Sequence, residues 1–154
     1  MKFERTAGEF TVSTDASKLD LATIHSFLAD CYWAKGLPLE VVRRSVENSL
    51  CFGVYHRKQQ VGFARVISDY ATFAYLADVF ILESHRGRGL SKLLIKSIME
   101  HPELQGLRRW SLATSDAHAL YEQFGFKPLR NLAMWMEIHN PDVYHAQSKA
   151  GRLQ

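Results

Sequence analysis

The segment Glu83-Ser84-His85-Arg86-Gly87-Arg88-Gly89-Leu90-Ser91-Lys92 brings together the residue types best suited to holding an anion. Two glycines let a backbone curl tightly. A helix opening at Leu90 leaves its first N–H groups without intrahelical acceptors. Such donors, together with the helix dipole, form an anion site, and Arg86 and Arg88 add full positive charge. A phosphate or diphosphate is the natural occupant. The spacing is not that of a nucleotide triphosphatase, which needs GxxxxGK followed by Ser or Thr. Nor is it a dinucleotide fingerprint, because Lys92 stands where GxGxxG requires its third glycine. The plain alternative is a turn with solvated arginines; the position between a buried strand and a long helix favours the anion site.

The flanking elements follow from periodicity. Thr72–Leu82 reads as a long strand, and the near-continuous apolarity of Ala77-Asp78-Val79-Phe80-Ile81-Leu82 implies burial on both faces, with Asp78 the exception. Leu90, Leu93, Leu94, Ser97 and Ile98 mark an amphipathic helix that stops at His101-Pro102. Arg109–Thr114 returns to strand, which makes this stretch a right-handed βαβ unit. Upstream, Phe10–Ser13 is a short strand. Ser17 and Asp20 have capping-box spacing before a helix with Leu21, Ile24 and Leu28 on its apolar face. Pro38 suits the first turn of a second helix that buries Leu39, Val42 and Val46. Leu50–Tyr55 and Val61–Ile67 form a hairpin. Ala117, Leu120, Tyr121 and Phe124 mark a short helix ended by Gly125, and Ala133–Ile138 is a last strand.

Composition bounds the class. The chain has 154 residues, 47% apolar and 23% charged, which fits one globular domain at residues 1–139 with a polar tail at 140–154. The net charge of +3 is too small for a dedicated nucleic-acid binder, so no nucleic-acid partner is expected. No apolar run reaches the roughly 18–20 residues of a membrane span, and Lys2, Glu4, Arg5 and Glu9 are unlike a secretory signal. The expectation is a cytoplasmic protein with no membrane partner. Cys31 and Cys51 form no CxxC, and the seven histidines show no HExxH spacing, so no metal is expected.

Arg86, Gly89 and Ser91 resemble the signature of the GCN5-related N-acetyltransferases: Arg or Gln, two residues, Gly, one residue, then Gly or Ala. Here serine replaces the last small residue. A second block, Ala117 through Leu120-Tyr121-Glu122-Gln123-Phe124-Gly125-Phe126, is similar to that family's tyrosine-bearing helix. The resemblance implies a mixed α+β fold with a mostly antiparallel, twisted sheet of about six to seven strands and about four helices. The sheet would splay between the family's fourth and fifth strands, here Thr72–Leu82 and Arg109–Thr114. It further implies acetyl-CoA as cosubstrate. The pantetheine arm would pair with backbone groups of Val79, Phe80 and Ile81, and the diphosphate would meet Arg86, Gly87, Arg88, Gly89, Leu90, Ser91 and Lys92. Thr114 stands where several relatives hold the cosubstrate with asparagine. Homodimers built by edge-strand pairing are a habit of the family.

Acetyl transfer to an amine needs an oxyanion donor, an uncharged amine and a proton for the leaving thiolate. Neutralising a lysine-like amine at pH 7 costs about 4.6 kcal/mol, from ~3.4 pKa units. A backbone N–H near Val79 or Phe80 would meet the oxyanion. Tyr121 matches the family tyrosine, and a neutral phenol is a competent general acid. For the base, Arg108-Arg109-Trp110-Ser111-Leu112 offers no carboxylate, which leaves Asp78. Desolvation in an apolar strand would raise its pKa. A structural role for Asp78 as an acceptor for Arg65, and a water relay with no single base, both stay open. The acceptor, an amine-bearing small molecule or a lysine or N-terminal amine, would enter near Tyr32, Trp33, Asp69 and Tyr70, with Tyr75 close by. A CoA-binding regulatory module without turnover is the alternative.

Overall fold

The computed structural model describes residues 1–31 and 34–144. Strands β1 (Glu4–Ala7) and β2 (Phe10–Ser13) pair as an antiparallel hairpin. The sequence does not foretell β1: it is a mostly exposed edge strand carrying Glu4 and Arg5, so no apolar alternation betrays it. Helix α1 (Leu21–Asp30) is capped by Asp20, whose Oδ1 accepts from Thr23 N–H at 3.1 Å. The expected capping box at Ser17 is corrected by this cap. Asp15 caps a separate 3-10 turn at Ala16–Lys18, and Leu19 is extended, so the backbone cannot run on as one helix. Helix α2 (Leu39–Glu47) follows an extended Pro38; Val42 is buried, whereas Leu39 is exposed.

The rest of the sheet comprises β3 (Leu50–His56), β4 (Gln59–Ser68), β5 (Phe73–Ile81) and β6 (Arg109–Ser111), in the order β1-β2-β3-β4-β5-β6. Every pairing is antiparallel except β5 with β6. Helix α3 (Leu90–Met99) crosses between those two parallel strands, and α4 (His118–Glu122) follows β6. The expected α+β fold, a mostly antiparallel sheet of six strands with four helices, is present.

Strand alternation separates two cores. Ala64, Val66, Ala74 and Leu76 pack with Leu94, Ile95 and Ile98 of α3. Phe63, Cys51 and Phe80 pack with Ile24 and Leu28 of α1 and Val42 of α2. Along β5 the parity changes once. Even-numbered Ala74 and Leu76 lie on the α3 side, but so do odd-numbered Val79 and Ile81, while Phe80 turns to α1. A one-residue slip exchanges the two faces of a strand, so an extra residue sits between Leu76 and Val79.

Ala133–Ile138, expected as the last strand, lies outside the sheet. Leu132–Met134 form a 3-10 turn, and the chain beyond is exposed to solvent. The apolar alternation is present, but β6 is only three residues long and offers little edge to pair with. Tyr144 then packs on the α1 core, which anchors the start of the expected polar tail.

Candidate active site

The extra residue in β5 is Asp78. Phe63 registers with Phe80 and Arg65 with Ala77, so Asp78 and Val79 together oppose Ala64 in a β-bulge. Asp78 adopts φ +55°, a left-handed conformation that is uncommon outside glycine and is enriched in Asp and Asn. Such a residue carries roughly 1–3 kcal/mol of strain and persists only where its surroundings hold it. The hold here is Arg65, whose Nε donates to Asp78 Oδ2 at 2.8 Å; both side chains are largely buried. Arg65 also donates from Nη1 to Ser49 Oγ at 3.2 Å.

β5 leaves β6 before it reaches the bulge. Their pairing covers only Phe73, Ala74 and Tyr75 against Arg109, Trp110 and Ser111. Beyond it the two segments diverge around a cleft of about 1140 Å³, with Leu76–Ile81 on one wall and Leu112–Ala117 and Tyr121 on the other. Leu82 N–H donates to Val61 O at 2.8 Å. Successive N–H groups of a strand point to opposite edges, so Val79 and Ile81 turn theirs toward the cleft. Phe80 registers with Phe63, and its ring stacks on Phe27 at 4.0 Å.

The cleft ends at the glycine-bearing loop. Gly87 and Gly89 have φ of +77° and +76°, values that strain any side chain, so the two glycines make this curl accessible. Gly89 is the N-cap of α3 and brings no side chain to the helix N-terminus. Among the described residues, no N–H from Gly87 to Lys92 has a protein acceptor. Six donors without a protein acceptor thus lie at and just before a helix N-terminus, a setting that favours anions. Arg86 is partly committed elsewhere: its Nε donates to Ile81 O at 3.0 Å, tying the loop to the end of β5. Ser91, adopted in place of the family's glycine or alanine, lines the cleft.

Tyr121 is buried on the opposite wall, with Phe126 edge-on at 5.9 Å. Burial raises its phenol above the usual value of 10, and the nearby Asp116 adds to this, so it keeps its proton at neutral pH. Thr114 also lines the cleft, and its Oγ1 accepts from Ala117 N–H at 3.0 Å at the start of α4. Cys31 lines the cleft as well, but burial raises its thiol and Asp78 and Asp30 add to this. Cys51 is pushed up to about 12 by burial. Neither environment favours a nucleophilic thiolate.

The structure therefore gathers Asp78, Val79, Phe80, Ile81, Arg86, Ser91, Thr114 and Tyr121 around one cleft, with Tyr75 on its lining. Asp69 and Tyr70 do not line it. The Asp69 carboxylate accepts from the N–H groups of Ala71, Thr72 and Phe73 and from the Thr72 hydroxyl, an arrangement that orders the β4–β5 loop. Those bonds hold its carboxyl well below the ordinary range. Tyr32 and Trp33 lie outside the described residues. Asp30, Glu137 and His139 line the cleft without having been singled out from sequence. Their only signal would have been proximity in three dimensions, because no motif contains them. Among the described residues, no group of three or more His, Cys, Asp or Glu could hold a metal, and no helix is long and apolar enough to cross a membrane.

The acetyltransferase (GNAT) domain matches residues 47–128, which span β3 through α4. A Gibberella zeae protein bearing an acetyltransferase name is 33% identical over 149 residues, covering 81% of this chain and 83% of its own. A GNAT-family structure from Xanthomonas campestris is 57% identical with a TM-score of 0.86, covering 88% of this chain and 96% of that one. A Deinococcus radiodurans structure shares the fold at 20% identity and a TM-score of 0.70, covering 90% and 93%. The splayed β5–β6 cleft and the open amides of its loop are thus features of a chain that belongs to the GNAT acetyltransferase family, whose members take acetyl-CoA as cosubstrate.

Proposed function

We propose that the protein is an N-acetyltransferase that moves the acetyl group of acetyl-CoA directly onto an amine. The observation that carries this reading is the set of acceptor-free N–H groups from Gly87 to Lys92 at the end of the β5–β6 cleft. In this reading those donors hold the diphosphate. The outward amides of Val79 and Ile81 hold the pantetheine arm and face the negative charge that develops on the carbonyl oxygen, as oxyanion donors do. The buried, protonated Tyr121 supplies a proton to the leaving sulfur.

Asp78 is our proposed base. Asp78 lines the cleft at the bulge, next to Val79, and Arg65 holds its carboxylate. Asp30 and Glu137 add negative charge to the same cleft, which suits an acceptor that arrives as a cation and must shed a proton. The unfavourable thiol environments of Cys31 and Cys51 support direct transfer over an acetyl-cysteine route. A regulatory module that binds CoA without turnover is the second reading, favoured only by the lack of a carboxylate on β6.

The test is thiol release from acetyl-CoA against a panel of primary amines, with calorimetric titration of CoA alongside. Amine-dependent release that Tyr121→Phe suppresses supports the enzyme. Heat on CoA binding with no release for any amine supports the regulatory module, and no heat at all overturns both.

A further inference from the structure

The glycine-bearing loop is flanked by a polar cluster that lies outside the cleft. The 3-10 turn Glu83–His85 sets His85 against the start of β2 and the end of β3. Its ring stands edge-on to His56 at 5.4 Å and to Phe10 at 6.3 Å, and Phe10 stacks on His56 at 4.9 Å. Ser84 Oγ and His85 Nδ1 are 2.8 Å apart, which leaves Nε2 of that ring for another partner. His56 Nε2 donates to Glu9 Oε2, and Arg57 Nη2 to Glu9 Oε1, each at 3.2 Å. Those two bonds hold the Glu9 carboxyl below its ordinary value, and the charge of Arg88 adds to this. Desolvation lowers the His85 imidazole, and Arg88 contributes again. Arg88 therefore stands within electrostatic reach of both, yet it donates no hydrogen bond to a described residue.

We infer that this cluster is a subsite for a phosphomonoester, the 3′-phosphate on the ribose of coenzyme A, held by Arg57, Arg88 and the open edge of His85. The inference rests on the acetyl-CoA reading. Sheet order gives the direction. A diphosphate on the loop has two ends, and the one bearing pantetheine enters the cleft between β5 and β6, on the side lined by Arg86 and Ser91. Strands β2 and β3 lie on the other side of β5 in the sheet, so His56 and Arg57 face the end that carries the ribose. The 3′-phosphate is one sugar away from the diphosphate, and the loop itself places His85 and Arg88 there. Charge favours the same occupant. Two guanidiniums face one carboxylate, and Glu9 already sits between His56 and Arg57 as an anion would. A phosphomonoester brings more charge and more acceptor oxygens than that carboxylate, and guanidinium groups bind it through charge-assisted hydrogen bonds.

Calorimetry compares CoA with dephospho-CoA, which lacks only that phosphate. The wild type is expected to bind CoA at least about tenfold tighter, the scale on which hydrogen bonds to charged groups contribute. The ratio is expected to shrink as salt is raised, because these side chains are exposed to screening. Arg57→Asn preserves the turn, since asparagine accepts the φ of +58° at that position. It is expected to bring the ratio within about threefold, while dephospho-CoA binds as it does to the wild type and so reports a folded loop. A wild-type ratio below about threefold, or a ratio that Arg57→Asn leaves unchanged, overturns the subsite. Binding of both coenzymes without discrimination removes the subsite alone, whereas heat with neither removes the acetyl-CoA reading and the subsite together.

Discussion

Arg65 registers against Ala77 across the β4–β5 pair, yet its guanidinium reaches one residue further and meets Asp78, Nε to Oδ2, at 2.8 Å. The contact ties a left-handed residue in the middle of a strand to its neighbour strand. The bulge so fixed turns Phe80 to α1 and Val79 and Ile81 to α3, within the stretch of β5 that has already diverged from β6. One ion pair thereby connects the sheet to the site.

Asp78→Asn retains a side chain suited to φ +55° and able to accept from Arg65. It is expected to keep the fold, with a melting temperature near wild type, while kcat falls about 10²–10⁴-fold, the usual range for loss of a general base. Asp78→Val is expected to lose stability by about 1–3 kcal/mol, because a β-branched residue is strained in the left-handed region. Denaturant unfolding measures the second effect. An Asp78→Asn enzyme with unchanged kcat removes Asp78 as the base.

Tyr121→Phe deletes the phenol and leaves the ring against Phe126. Turnover is expected to drop by about 10²–10⁴-fold, with the acetyl-CoA dissociation constant changed less than about twofold. The pH profile adds a sign. Burial raises the phenol above 10, so the acid form persists through neutral pH and activity falls only in alkali above that value. In Tyr121→Phe that alkaline limb is expected to vanish from the residual rate.

Gly89→Ala places a Cβ at φ +76°. Conformational strain of about 1–2 kcal/mol is expected, and relaxation of the loop would turn its amides away from the anion. Calorimetry should show CoA affinity down by about tenfold, the equivalent of 1.4 kcal/mol. Arg88→Ala should weaken CoA less at high salt than at low salt, because an exposed charge is screened.

His101 is fully buried against Phe3 and Phe52, and its Nδ1 accepts from Glu103 N–H at 3.2 Å. Burial holds it below its ordinary 6.5, so the unfolded chain takes up a proton that the folded one refuses. The stability this contributes is fully present above 6.5 and is lost as pH falls through the lowered folded value. Its slope is at most about 1.4 kcal/mol per pH unit. His101→Asn keeps an acceptor for Glu103 but cannot titrate. Urea unfolding between pH 7 and pH 5 should show a shallower decline in the variant.

Arg86, Gly89 and Ser91 sit between a buried strand and an amphipathic helix, and those local relations were legible because each depends on residues only a few positions apart. Periodicity likewise revealed β3, β4, β5 and α3, since one buried face imposes its own repeat on the chain. The amino acid sequence by itself therefore determined the family, the core strands and the anion loop. Tertiary structure alone decided the rest. The bulge at Asp78 exists because β5 must satisfy two cores, and its Arg65 partner lies on another strand. Asp69 was drawn into its own loop by short-range N–H groups. Glu137 and His139 reached the cleft, and the 133–138 segment missed the sheet, because the reach of a chain past a three-residue edge is a matter of packing in space. Alternation specifies that a segment has two faces; only the surrounding fold decides what each face meets.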